Sequence, residues 1–383
     1  MGIDYIDLFS GIGGFHCALD KLPNTHCVFT SEINQEAARV YAANFPDCNM
    51  HGDIQLPSTK AAIPDKFDLL CAGFPCQPFS KSGNLKGFED TRGTLFFDIL
   101  EILEKHKPKY ILLENVANLV THDGGNTYKR ITESLKDIGY NIPKKSCIIS
   151  PHNIGIPVLR PRVYIPGVLN SDADIEIKIE SIDRNSLDAL SFFKFKENAS
   201  NEININQKKS LEIWDEFYKG IKEVTLGFPI WYDYLDNNVH FPTKYKWKDD
   251  FINKNKLLYT NNKEFIDEWK IRNIDLKKYP ESYRKFEWQC GADCNSIYEG
   301  FIQFRPSGIR VKRPTVFSTQ VAINQGQVIG KFKRRLTSNE SKLLQCFPKD
   351  FKMHDDERIA FKQLGNSVNV DVVEYILKAL LVY

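Results

Sequence analysis

The sequence predicts an α/β protein with a doubly wound, largely parallel sheet and a second, smaller domain. Three observations carry this. Up to about Leu169, short apolar runs alternate with helical segments, the pattern of parallel strands covered on both faces. After Gly167 the alternation stops and the chain turns polar, with Asn-rich stretches such as Asn198-Ala199-Ser200-Asn201-Glu202-Ile203-Asn204. The length of 383 residues also exceeds what one core usually organises, so two domains are expected.

Strands are expected near Tyr5–Phe9, Cys27–Thr30, Phe67–Cys71, Tyr110–Leu113, Lys145–Ile149 and Val163–Ile165. Gly52-Asp53-Ile54 is read as the end of a further one. A helix is expected over Thr94–His106, where Leu95, Phe96, Ile99, Leu100 and Leu103 recur at helical spacing. Beyond the composition change, Ile213–Tyr218 and Phe265–Trp269 read as helical pieces and Arg310–Ile329 as extended chain. Structure of the first type resumes at Leu336, where Thr337 or Ser338 can cap a helix with Glu340 in its first turn. A last helix follows Asn366, with Val370, Val373, Ile376, Leu377 and Leu380 on one stripe.

The net charge of +2 and pI near 7.9 exclude a uniformly basic protein, so any nucleic-acid contact must come from local patches. One such patch is Gly300–Asn339, with eight basic residues and no acidic one. From Ser171 to Pro242 the balance reverses, with fourteen acids against eight bases. The nine scattered cysteines form no paired framework and fit a reducing cytoplasm. Cys290-Gly291-Ala292-Asp293-Cys294 lacks a second Cys or His pair at zinc-site spacing, and no metal is expected. Met1–Asp7 lacks a basic start and no apolar run reaches about 18 residues, so neither signal peptide nor membrane span is expected.

Chemistry concentrates where strands end. Gly11, Gly13 and Gly14 follow the first strand and permit a tight turn and close approach of a ligand to a helix N-terminus. Glu32 ends the second strand, as expected of an acid accepting hydrogen bonds from ribose hydroxyls, and with Asp53 the row suits a nucleoside. Cys71-Ala72-Gly73-Phe74-Pro75-Cys76-Gln77-Pro78-Phe79-Ser80 ends a strand in a turn that presents one thiol between two prolines. Glu114-Asn115-Val116 ends the next. A lone cysteine is more often a small buried hydrophobe; here it has an acid and a glycine turn for company.

Together with Arg160-Pro161-Arg162 and Gln363-Leu364-Gly365-Asn366-Ser367-Val368, these ordered motifs resemble the DNA (cytosine-5) methyltransferases, over about residues 4–167 and 333–380. The resemblance implies a Rossmann-like, S-adenosylmethionine-dependent catalytic domain formed by residues 1–168 and a returning C-terminal segment, 333–383. Residues 169–332 would be the target-recognition domain. S-adenosyl-L-methionine would lie against Phe9, Gly11, Ile12, Gly13, Gly14, Ile33, Ile54, Pro75, Leu95, Asn366 and Val368, with Glu32 on its ribose and Asp53 on its adenine amino group. Cys76 would attack C6 of cytosine and Glu114 would protonate or hydrogen-bond N3. Arg162 would orient Glu114, and Arg160 would contact the carbonyl oxygen of the base. Val158 departs from the family, which usually has Gln there.

A stacked cytosine hides C5 and C6, so such enzymes flip the base into a pocket. The Ser80–Thr91 loop would be a lid, with Gln77 and Ser82 contacting DNA near the flipped position. Arg305, Arg310, Lys312, Arg313, Gln320 and Gln325 are the candidates for reading bases or holding phosphates, and Trp214, Trp231, Trp247, Trp269 and Trp288 are read as core. The expected partner is double-stranded DNA, bound by a monomer in a bacterial, nucleoid-associated setting. A cognate restriction endonuclease is allowed for without a stable complex. Two rivals are an RNA methyltransferase of the same fold, against which the long 169–330 insert speaks, and a silent DNA-binding scaffold, against which Cys76, Glu114, Arg162 and the glycine turn speak.

Overall fold

A computed structural model describes residues 2–75, 95–179, 182–192, 201–222, 227–237, 242–319 and 326–382. The chain divides into two compact units. The first comprises Met1–Arg184, Thr319–Ile323 and Ser341–Tyr383, and the second Asn185–Ser318 and Asn324–Glu340.

The first unit is built on an eight-stranded sheet. Its strands are β1 (Ile3–Leu8), β2 (Thr25–Ser31), β3 (Met50–His51), β4 (Leu69–Gly73), β5 (Tyr110–Val116), β6 (Tyr140–Asn141), β7 (Cys147–Ile149) and, after the short β8 (Val158–Leu159), β9 (Arg162–Leu169). The order is β3-β2-β1-β4-β5-β9-β6, with β7 also on β9. β1 to β5 pair in parallel and β9 runs antiparallel to β5. The chain therefore winds outward from β1 in one direction and then, from β4, in the other. Between β1 and β4 it leaves a crevice at the strand ends, where open α/β sheets bind ligands.

Alternation along the strands supplies both faces. Tyr5, Leu69, Cys71 and Leu112 point into a core shared with helix α1 (Gly14–Leu19) and the C-terminal helix Val370–Leu380. Ile6, Leu8, Leu70, Ala72, Ile111 and Leu113 point into the opposite core, which takes Phe96, Ile99, Ile102 and Leu103 from the helix Leu95–His106. Each fully buried side chain of this kind is worth about 1.5–3 kcal/mol. The last helix is capped by Asn369, whose side chain accepts from the Val372 N–H.

Three expectations need adjusting. Gly52-Asp53-Ile54 follows β3 and is not part of it. β9 runs through Pro166 to Leu169, beyond the expected Ile165; Pro166 falls between the partners of β7 and β6, so its missing N–H breaks no ladder bond on that side. The first unit also extends past the composition change to Arg184, because Ile175 and Ile177 pack into the same core as Tyr5.

The second unit has a six-stranded sheet, with Lys285–Gln289 next to Gly308–Lys312, which lies next to Phe301–Arg305. Helices Ile205–Gly220 and Lys263–Arg272 pack Trp214, Phe217 and Trp269 with Phe286 and Trp288 of that sheet. Trp247 is the exception to the tryptophan reading: it is 56% exposed. Thr337 caps the helix Ser338–Leu344, its Oγ1 accepting from the Glu340 N–H while Glu340 Oε2 accepts from the Thr337 N–H. Among the described residues no helix is long and apolar enough to cross a membrane.

Candidate active site

The ends of β1, β2, β4 and β5 surround a cleft of about 680 Å³. β1 stops because Phe9 adopts a left-handed backbone, φ 55°, and Gly11 and Gly13 follow at 56° and 92°. Gly14 is required for space: a Cβ there would stand 2.6 Å from Val368 Cγ2 and 2.7 Å from Ser367 Oγ. The turn and the C-terminal segment are thus in close contact.

Glu32 fastens this turn. Its Oε2 accepts from the Gly11 N–H at 2.8 Å and its Oε1 from the Asn34 N–H at 2.7 Å. Asp53 Oδ1 accepts from the Gln55 N–H at 3.0 Å. Both acids line the cleft and keep acceptor capacity beyond these bonds. Between them the cleft takes in Ile33, an apolar side chain left 68% exposed.

On the other side of the cleft Glu114 stands near the end of β5, opposite Gly73 of β4 and Tyr164 of β9. Arg162, the first residue of β9, places Nε 3.1 Å from Glu114 Oε1. Burial pushes the Glu114 pKa up, opposed by Arg162 and then Arg160. Asn115 braces what comes next: its Nδ2 donates to the Phe74 carbonyl at 3.0 Å, and its Oδ1 accepts from the Val116 N–H at 2.8 Å. That amide holds the backbone at Phe74-Pro75, immediately before Cys76 in the chain.

The sequence model of the C-5 cytosine-specific DNA methylases matches residues 3–381, taking in every strand end of the cleft. The chain belongs to that family. The methylase is 33% identical over 378 residues to the Type II methyltransferase M.HpaII of Haemophilus parainfluenzae, covering 97% of this chain and 87% of the relative. It is 31% identical over 378 residues to the Type II methyltransferase M.HhaI of Haemophilus parahaemolyticus, covering 98% and 93%. In fold it is similar to the solved Entamoeba histolytica methyltransferase EhMeth, with a TM-score of 0.54 at 21% identity over 99% of this chain and 98% of that one. The protein is therefore a DNA cytosine-5 methyltransferase, of a family whose methyl donor is S-adenosylmethionine.

Around the methylase cleft stand Phe9, Gly11, Ile12, Gly14, Glu32, Ile33, Asp53, Ile54, Pro75, Leu95, Glu114, Arg162, Asn366 and Val368. Gly13 instead lies behind the turn, where a Cβ would meet Phe45 at 2.4 Å. Cys76, Gln77 and Ser82, the lid expected over Ser80–Thr91, and Gln320 and Gln325 lie outside the described residues. Lys362 and Asn115 also line the cleft, without having been given a role from the sequence; Asn115 was within reach, as the amide following a strand-end acid.

Arg160, expected at the carbonyl oxygen of the base, stands apart from the other site residues. It does not line the cleft but is 2% exposed, and its Nη2 donates to the carbonyls of Gly365 and Ser367 at 2.8 and 2.7 Å. A cation there suits the C-terminus of the helix Glu357–Asn366. Its backbone N–H donates to Ser150 Oγ at 2.8 Å, and that hydroxyl lies 3.3 Å from the carbonyl of Val158, the residue that replaces the family glutamine. Through these bonds Arg160 braces the cleft wall at Gly365 and Ser367.

The basic run of the second unit is also less bare than its sequence. Arg305 and Arg310 place Nη2 at 2.5 and 2.9 Å from the same Oε2 of Glu287, and Arg313 pairs with Asp293. Lys312 Nζ lies 3.4 Å from Ser318 Oγ. The compensating acids stand outside the Gly300–Asn339 stretch, and strand pairing brings Glu287 level with Arg310. One face of this sheet carries Glu287, Gln289, Gln303, Arg305, Arg310 and Lys312; the other buries Phe286, Trp288, Ile302, Ile309 and Val311.

Proposed function

We propose that this methyltransferase modifies one cytosine within a short specific site in duplex DNA, protecting bacterial host DNA as the partner of a restriction enzyme. The observation that carries its chemistry is the Glu114–Arg162 pair on the cleft, beside the backbone leading to Cys76.

The cleft residues fit S-adenosylmethionine. Gly11 and Gly52 have nothing within 4 Å of where a Cβ would stand, so the backbone is open to a ligand at both. Glu32 and Asp53 offer acceptors suited to ribose hydroxyls and an amino group, and the exposed Ile33 offers an apolar surface to a purine ring. When bound, this group supplies the electrophilic methyl that an activated C5 requires.

The chain's own residues supply the activation. C5 of cytosine is a poor nucleophile until the Cys76 thiolate adds to C6 and makes the ring an enamine. Charge then develops at N3, within the role of a protonated Glu114, and burial raises the Glu114 pKa in the direction that keeps its proton. Arg162 fixes the carboxyl group by its 3.1 Å contact. After methylation, loss of the C5 proton and elimination of Cys76 restore the aromatic ring.

The polar sheet face of the second unit supports DNA contact, with Gln289, Gln303, Arg310 and Lys312 as donors of the type that read base edges. Bisulfite sequencing of a host expressing the chain tests the proposal. One methylated sequence context is expected; labelled methyl entering tRNA but not duplex DNA would refute it.

A further inference from the structure

Behind the glycine turn, three side chains from separate stretches converge: His16 on α1, Cys27 on β2 and Cys48 in the turn before β3. One ligating atom from each lies within 4.8 Å of the others. We propose that His16, Cys27 and Cys48 form a binding site for a zinc-class divalent cation, held by one imidazole nitrogen and two sulfurs. The set matches the soft and borderline ligands that zinc takes. A tetrahedral zinc site spaces its ligand atoms roughly 3.3–3.8 Å apart, so the cluster needs to contract by at most about 1.5 Å.

The surroundings orient these ligands. His16 stacks on Phe45 at 3.7 Å between ring centroids and meets Tyr5 edge-on at 5.7 Å. Its Nε2 lies 3.4 Å from Asp20 Oδ1 and its Nδ1 2.7 Å from Tyr41 Oη, so the nitrogen that takes the ion exchanges one of these contacts for it while the other keeps the ring oriented. The same hydroxyl is 3.7 Å from Cys27 Sγ. Cys27 and Cys48 are half-buried, which leaves an ion a route in.

A second observation points to missing positive charge. Asp7 is fully buried, neither carboxylate oxygen has a hydrogen-bond partner among the described residues, and its charge interacts with His16, Glu32 and Cys48. An acid buried without a partner ionises only at a cost, and a cation in the neighbouring cluster would lower that cost. Binding a cation here would release the thiol protons. Because α1 starts at Gly14 and β2 leads into Glu32, an ion here would brace both sides of the cofactor turn.

The test uses the full chain without a histidine tag, stripped by chelator and titrated with Co²⁺ and then Zn²⁺. The expected result is one ion per chain, a thiolate-to-cobalt charge-transfer band that zinc displaces, and a higher Tm with zinc. Cys48→Ala, in a half-exposed turn where folding tolerates truncation, and Cys27→Ser should each weaken or abolish the band and the Tm shift. Cys76→Ser and the double variant Cys290→Ser/Cys294→Ser should leave both unchanged. The site is overturned by a wild-type chain without the band, by a band that survives loss of both Cys27 and Cys48, or by one that disappears with Cys290 and Cys294.

Discussion

Arg162 Nε lies 3.1 Å from Glu114 Oε1, with the two side chains only 15% and 11% exposed. On the proposed mechanism this pair sets the pH response of the enzyme. Burial raises the Glu114 pKa and Arg162 is the larger of two charges opposing the rise. In the proposed mechanism the working form is the protonated acid, so single-turnover methyl transfer should fall as pH rises through a Glu114 pKa raised above its ordinary value. Arg162→Gln removes the larger opposing charge; the rate should drop while the falling limb moves to higher pH. A limb that stays in place shows that Glu114 is not the titrating acid.

Cys76→Ser should abolish turnover and leave S-adenosylmethionine binding largely intact, because a hydroxyl is a far weaker nucleophile at neutral pH. In a duplex with 5-fluorocytosine at the target, fluorine cannot leave as a cation, and the wild-type chain should be trapped as an adduct that survives denaturation. An enzyme active on ordinary DNA that yields no adduct does not use covalent catalysis.

Arg160 separates a positioning role from a base contact. Hydrogen bonds to a charged donor are worth about 1.5–3 kcal/mol each, partly offset here by the relief of burying no charge, so Arg160→Met should lose stability on that order in denaturant titrations. Its bonds hold Gly365 and Ser367, which flank Asn366 on the cleft. The variant should therefore raise KM for S-adenosylmethionine more than it lowers kcat. A kcat loss with KM unchanged restores the base-contact reading.

What could be read from the sequence was local. The strands from β1 to β5, the glycine turn and the strand-end acids follow from apolar periodicity and residue type within a few positions. What could not be read depends on register and long-range packing. Arg160 and Arg162 are two residues apart, yet one is spent on a helix end contributed by residues 365 and 367 and the other faces Glu114. Glu287 is some twenty residues from Arg310 in the chain but directly beside it across a parallel strand pair. His16, Cys27 and Cys48 have no motif spacing at all, because α1, β2 and the turn before β3 each contribute one.

Asp7 should give the fold a pH signature. Burial raises its pKa from 3.8 to about 8. Between those values the folded state holds a proton that the unfolded chain has lost, so the contribution to stability is full below about pH 4 and fades as pH approaches 8. Asp7→Asn cannot titrate. In the presence of chelator, its Tm should fall less than that of the wild type between pH 5 and pH 8; parallel Tm profiles would show that Asp7 is not buried as an unpaired acid.

Glu287 holds two arginines at once, with Arg305 Nη2 at 2.5 Å and Arg310 Nη2 at 2.9 Å from a single oxygen. Three charged groups therefore carry a net charge of only +1 on this face, and the arginines are pre-set in direction by the shared carboxylate. If the face meets DNA, Glu287→Gln removes the competing anion, and affinity for unrelated duplex should rise. The slope of log affinity against log salt should steepen by about 0.9 for each new phosphate contact. Discrimination should fall at the same time, since arginines freed from one geometry are less able to select a base edge. Arg310→Ala distinguishes the two roles: loss of a base contact costs roughly 1–3 kcal/mol on the target and little elsewhere, whereas loss of a phosphate contact weakens all duplexes alike. If Glu287→Gln and Arg310→Ala both keep wild-type affinity, salt slope and site preference, this sheet face does not meet DNA, and its charges serve only to cover the aromatic core behind it.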